Sequence, residues 1–397
     1  MHLINDSLNK LDILMANHII KHLPEAYFGV NKYGFTELYN TIKVIKNKAP
    51  FRYYGNKIQN FTDRYEQFCR SYYGMKYAHC VNSGTGALIC ALNAFGIKKG
   101  DEVIVPTFLW ISITNAVKLC GAKVVFVDID DSFNMDTTMI LQHISEKTKC
   151  IIVPHMEGCQ ANIIEITKIC KKRDIKILED FSQCNGGTLQ GKKIGSFGDI
   201  SICSLQMNKI VSCGEGGLIL TNNKKYHEYM VARSDFGSFD RKNQSLSNII
   251  TVGEGRRMSE LQSAIMLAQM KRIDEMIEKM RNNKKYIVNK IKTEKIQTRN
   301  VLDMDGDTGY SIILIFNNIK QKRTFYELLK KNSSKITAFE IDNMGFHLYY
   351  NCMDTKKNFK KTNELFSRAV SIRLPANLKK YQLISIAIVI ENALKKV

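Results

Sequence analysis

The chain has 397 residues, with 58 Lys and Arg against 38 Asp and Glu, a formal net charge of +20 at pH 7. Hydrophobic residues make up 44% and charged residues 24%, enough apolar surface to exclude an intrinsically disordered chain. The 11 Cys are spread over this length, which excludes a small disulfide scaffold.

The basic excess comes as scattered pairs such as Lys171-Lys172 and Lys284-Lys285. It reads as solvated surface, or as a field that steers anionic ligands, and no nucleic-acid partner is expected. No Cys pair has Cys-x-x-Cys spacing, so no metal site is expected, and a reducing, cytoplasmic compartment is. The first ten residues hold Asn, Asp and Ser where a secretory leader is apolar. With no apolar run of about 18 residues, no membrane partner is expected.

In chain order, Leu8, Leu11, Leu14-Met15 and Ile19-Ile20 predict an amphipathic helix within residues 1–27. A second helix is predicted over 35–47, broken by a loop at 50–55. From about residue 60 short apolar runs alternate with helical stretches. Helices are expected near 61–73, from Ala87, near 112–120, 137–144 and 163–172. Strands are expected at 77–81, 102–106, 123–127, 150–154, 175–178, 200–204 and 217–221. This alternation predicts an α/β fold with a mostly parallel, doubly wound sheet. One long helix over 258–289 is expected to join it to a smaller α/β domain. That domain has strands at 310–316 and 335–341 and helices at 321–331 and 380–395. The expected domains are 1–50 (N-terminal helical), 51–290 (large) and 291–397 (small, C-terminal).

Three elements carry chemistry. Ser83-Gly84-Thr85-Gly86 follows a strand and opens a helix, so its N–H groups and the helix dipole can hold an anion. Taken alone it is also an ordinary tight turn. Glu179-Asp180, followed by Gln183, ends a buried strand, where a carboxylate faces the ligand crevice or caps the next turn. Lys209 follows a strand and precedes Cys213-Gly214-Glu215-Gly216-Gly217; alone, it is a surface Lys before a turn. In this order on one sheet the three match what pyridoxal 5'-phosphate (PLP) requires. Its phosphate needs donors, its pyridine nitrogen needs a carboxylate, and its aldehyde needs a Lys.

With these residues in view the chain resembles the DegT/DnrJ/StrS family of PLP-dependent sugar aminotransferases over roughly 50–395. The resemblance is carried by Asn82-Ser83-Gly84-Thr85, the Gly100–Pro106 run, Glu179-Asp180-x-x-Gln183, Gly198-Asp199-Ile200, Ser204 with Lys209, the 214–217 glycines, and Arg257-Met258-Ser259-Glu260-Leu261-Gln262. Phe51-Arg52-Tyr53 and Cys213–Gly217 are similar to subgroups that aminate cyclitol ketones or an eight-carbon keto sugar acid. The resemblance implies a PLP-dependent transferase of fold type I (aspartate-aminotransferase-like) and a homodimer. It implies amino transfer from glutamate or glutamine to a keto sugar, nucleotide-linked or a sugar acid, or to a cyclitol ketone, in ping-pong order. By the same resemblance Lys209 forms the Schiff base and Asp180 pairs with the pyridinium. Gln183 sits beside the ring and Trp110, the only Trp, stacks on it. Gly84, Thr85, Gly86 and Ser204 hold the phosphate, and His155 lies near the cofactor. Taken alone, Trp110 is a core aromatic and His155 a strand-end histidine. The family often has Asn where Gly255 stands here, and Arg256 is expected to supply a phosphate contact instead. His347 is a candidate substrate-side residue or a bland surface or core His. A dehydratase or lyase on the same fold is the alternative activity, although dehydratases of the family carry His at the Lys209 position. A PLP-binding regulator that binds nucleic acid is a third reading.

Overall fold

A computed structural model describes residues 10–240, 245–246, 248–291, 296–332, 335–343 and 359–397. The expected position of His347 lies outside these. A seven-stranded sheet runs in the order Tyr77–Val81, Gly217–Thr221, Ile200–Ser204, Lys176–Asp180, Thr148–Pro154, Glu102–Pro106, Lys123–Val127. Five strands pair in parallel from Ile200–Ser204 to Lys123–Val127; Gly217–Thr221 is antiparallel to both neighbours. Helices cover both faces. Ile151 and Val153 point into one core, Cys150 and Ile152 into the other. A strand buried on both sides has no polar face to show, so it reads as a continuous apolar run.

The second sheet is antiparallel throughout, in the order Gln297–Thr298, Ser311–Ile315, Ala369–Arg373, Thr337–Glu340. Helices Ile319–Asn332 and Lys380–Leu394 cover it. The N-terminal segment divides between the two sheets. Helix Lys10–Ile20 buries Ala16 and Ile20 with Ile386 and Ile390 beside the small sheet. Helix Phe35–Lys46 instead packs on the large unit, where Asn40 donates to the Ala264 carbonyl at 3.1 Å.

The single helix expected over 258–289 is two, Glu260–Met270 and Ile273–Lys290. Arg272 leaves helical geometry (φ −116°, ψ 7°) between them. Its guanidinium reaches the Lys32 carbonyl at 3.0 Å and the buried carboxylate of Glu37, so a tertiary anchor overrides helix propensity. The second helix still links the units: Met276 and Met280 lie in the large core, Ile287 in the small one. Ser259 and Gln262 form a capping box that starts the first helix. Beside them Glu260 accepts from the Phe61 and Thr62 N–H groups at 2.6 and 2.9 Å. It therefore caps helix Phe61–Tyr73 from across the fold. No helix among the described residues is long and apolar enough to cross a membrane.

Candidate active site

The carboxyl ends of the parallel strands open into a cavity of about 660 Å³. Eight of the ten sequence-predicted residues line it: Gly84, Thr85, Trp110, His155, Asp180, Gln183, Ser204 and Lys209. Gly86 and Arg256 do not.

One end of the cavity is the start of helix Gly84–Ala94. Ser83 is its cap, accepting from the Gly86 N–H at 3.0 Å, so the Gly86 donor is already engaged. The N–H groups of Gly84 and Thr85 have no carbonyl within their own helix to bond. Two glycines let this turn sit deep. A Cβ on Gly84 would lie 2.6 Å from the Ser204 Cβ, and one on Gly217 would lie 2.4 Å from the Ser83 carbonyl oxygen. Arg256 lies outside the turn, its Cδ 3.3 Å from where a Cβ on Gly86 would be, and it pairs with Glu254. Gly255 has φ +64°, a left-handed conformation that Gly and Asn adopt most readily.

The far end is built on strand Lys176–Asp180, where alternation splits the two carboxylates. Glu179 turns away from the cavity. It accepts from the Gly195, Phe197 and Gly198 N–H groups at 2.6, 2.8 and 2.9 Å and from the Ser201 hydroxyl at 2.9 Å. Burial acts to raise its pKa, but the His155 contact and these N–H groups outweigh it and hold the carboxyl below its ordinary range. The Gly198-Asp199 pair belongs to the same scaffold, since Asp199 accepts from the Ile177 N–H at 2.8 Å. His155 Nδ1 accepts from the Ala161 N–H at 3.0 Å, which puts the ring proton on Nε2, 3.2 Å from Glu179. His155 thus lines the cavity as an oriented ring.

Asp180 faces the cavity. Its Oδ1 accepts from the Ser182 N–H at 3.0 Å, and the Ser182 side chain also hydrogen-bonds the carboxyl. Burial pushes its carboxyl above the ordinary range, against the pull of Ser182 and Lys209. A buried carboxylate that faces the cavity is suited to a cation that enters it. Burial likewise pushes the Lys209 ammonium below its ordinary range, against Asp180. Gln183 is oriented by the Glu157 N–H, which donates to its Oε1 at 2.8 Å. Trp110 lies at the rim, 47% exposed, rather than in the core.

Several residues of the site escaped the sequence reading. Arg373 enters from the end of strand Ala369–Arg373 in the small sheet. It pairs with Glu157, a fully buried glutamate at φ 53°, ψ 35° that also accepts from the Ser371 hydroxyl at 2.9 Å. The N-terminal segment braces the Lys209 loop. The Gly29 N–H donates to the Lys209 carbonyl at 3.1 Å, and the Tyr33 hydroxyl to the Ser212 carbonyl at 3.1 Å. Phe28 stacks on the cavity residue Tyr310 at 4.6 Å.

The model of the DegT/DnrJ/EryC1/StrS aminotransferase family matches residues 37–391, and the chain belongs to that family. It is 36% identical over 228 residues to a GDP-perosamine synthase of Escherichia coli O157:H7, covering 57% of this chain and 61% of that one. The chain therefore spans about three fifths of the length of the first of its curated relatives. It is 30% identical over 290 residues to a dTDP-3-amino-3,6-dideoxy-alpha-D-galactopyranose transaminase of Aneurinibacillus thermoaerophilus, covering 72% of this chain and 77% of that one. Among solved structures it resembles a Helicobacter pylori aminotransferase involved in the biosynthesis of pseudoaminic acid. The TM-score is 0.83 at 21% identity, over 92% of this chain and 98% of that chain. The fold is the aspartate-aminotransferase-like one expected from the sequence.

Proposed function

We propose that this member of the family is a PLP-dependent aminotransferase. It would move an amino group from glutamate or glutamine to a keto sugar or a cyclitol ketone. The observation that carries the proposal is the convergence in one cavity of Lys209, the buried Asp180 carboxyl and the Gly84–Thr85 helix start.

These residues fit the cofactor. The turn in which Gly84 lies close against Ser204 suits a phosphate, held by the Gly84 and Thr85 N–H groups and the Ser204 hydroxyl. The buried Asp180 carboxylate suits the pyridinium nitrogen. Gln183 and His155 flank the ring position, and Trp110 is suited to stack on it. The phosphate contact expected of Arg256 would require it to leave its ion pair with Glu254. When bound, PLP supplies an aldehyde that condenses with amines and a ring that withdraws electrons. Lys209 holds the cofactor, then takes up and returns the proton at the substrate carbon. Its lowered pKa leaves a larger share of free amine near neutral pH. Asp180 stays ionised against a cation and keeps the ring protonated. The Ser182 N–H fixes one Asp180 oxygen, and the Glu157 N–H orients Gln183.

The two substrates then use the same cavity in turn, giving ping-pong kinetics. We place the enzyme in amino sugar or aminocyclitol biosynthesis. A homodimer is part of the reading, and the half-exposed Trp110 at the cavity rim supports a second copy there. A cytoplasmic location is supported by ten free cysteines among the described residues.

The test is the absorption spectrum of the PLP-loaded protein with glutamate or glutamine. A long-wavelength band that is lost on adding one donor, and restored by a keto sugar or cyclitol ketone, is the expected result. Lys209→Ala should lack the band. A band in Lys209→Ala equal to wild type, or no response to either donor, would overturn the reading.

A further inference from the structure

A second cavity of about 450 Å³ adjoins the first. The two share Asn208, Phe339 and Arg373 as common walls. Asn208 precedes Lys209 in the chain, so the second space begins one residue from the amine. Among the described residues its charged lining is Arg373, Lys330 and Lys335 against the carboxylate of Glu25.

The three cations differ in how firmly they are held. Arg373 is fixed. The Tyr310 and Phe339 rings lie 5.1 and 5.0 Å from its Cζ, and Nε and Nη2 bond to Glu157. Its Nη1 bonds to none of the described residues. Lys330 is half-buried, and that burial pushes its ammonium below the ordinary range. Lys335 lies 4.0 Å from Glu25, beyond hydrogen-bond reach. With Glu157 counted against Arg373 and Glu25 against the lysines, the described residues leave one uncompensated positive charge, and a concave wall focuses its field.

We propose that this second cavity is a subsite for an oxyanion-bearing substituent of the acceptor, a phosphate ester or a carboxylate. It would hold that group through Arg373, Lys330 and Lys335 while the ketone lies at Lys209. The proposal rests on the aminotransferase reading for its choice of ligand, and it makes Glu25 and Tyr27 of the N-terminal segment part of the acceptor site.

The test is calorimetric titration of the PLP-loaded protein with pyrophosphate and, separately, with glucuronate. Loading fills the phosphate turn at Gly84, so the added anion reports on another place. Saturable binding of at least one anion is expected, weaker by about tenfold or more in Lys330→Gln/Lys335→Gln. The charge-keeping Lys330→Arg/Lys335→Arg variant should bind like wild type, which separates lost charge from lost fold. The anion that binds identifies phosphate or carboxylate as the group. No binding of either, or equal binding by the Gln variant, would overturn the proposal. The titration needs no turnover, so a failure of amino transfer would leave its result standing.

Discussion

Glu66→Gln tests how firmly the Ser83 turn is bolted to the fold. Glu66 accepts from Arg52 through both oxygens, at 3.0 and 3.1 Å, and from the Cys80 N–H at 2.8 Å. It therefore joins the Phe51-Arg52-Tyr53 loop to strand Tyr77–Val81, which leads into the Ser83 turn. Burial works against the carboxylate, but Arg52 and His79 outweigh it and hold the pKa at about 2, from 4.5. A gap of about 2.5 in pKa, at roughly 1.36 kcal/mol per pKa unit, makes about 3 kcal/mol. An unfolding entropy of roughly 2.1 cal/mol/K per residue gives about 0.8 kcal/mol/K for this chain, so Tm should fall by about 4 °C at pH 7. The folded pKa is depressed, so the contribution is complete above pH 4.5 and fades as pH falls toward 2. By pH 3 about two fifths of it should remain. Thermal melts of wild type and Glu66→Gln from pH 7 to pH 3 measure this directly. A Tm difference that stays constant, or grows in acid, would refute the argument.

Two further substitutions separate binding from chemistry. Asp180→Asn should cut amino transfer by about a hundredfold or more in steady-state kinetics, and near-native turnover would sink the pyridinium assignment. The same variant should raise the Tm of the cofactor-free protein at pH 7. Burial lifts the Asp180 pKa above its unfolded 3.8, so the ionised form costs stability above that pH, and the gain should vanish below it. Gly84→Ala puts a Cβ 2.6 Å from the Ser204 Cβ, and the turn or the strand end must move. PLP affinity, read by absorbance titration, should drop by about tenfold or more; an unchanged affinity would mean that this turn does not hold the phosphate.

What could be read in the sequence follows from where the constraints are local. The parallel strands are apolar runs because both faces are covered. Ser83-Gly84-Thr85-Gly86, Asp180 and Lys209 stand at strand ends, so order along the chain already placed them on one edge of the sheet. Strand Ala369–Arg373 was not read, although it is central to the small sheet and pairs on both sides. Its Ser371 and Arg373 interrupt the apolar pattern, and both are there to meet Glu157. The break at Lys271-Arg272 was equally hidden, since its cause is Glu37, more than two hundred residues earlier.

The same reasoning explains why Arg373 carries the step beyond the family resemblance. An Arg two residues before Pro375 has no local signal for a binding role. It gains one only when antiparallel pairing sets Arg373 opposite Ser311 and Thr337, and when the left-handed turn at Glu157 brings a buried carboxylate against it. A buried Glu at positive φ is costly twice over, in desolvation and in backbone strain. The Arg373 pair offsets the first cost and fixes the guanidinium at the boundary of the two cavities. Glu157 also orients Gln183 through its N–H. One strained residue therefore ties Gln183 in the first cavity to the cationic wall of the second, the coupling that the proposed cofactor and acceptor sites would need to stay in register.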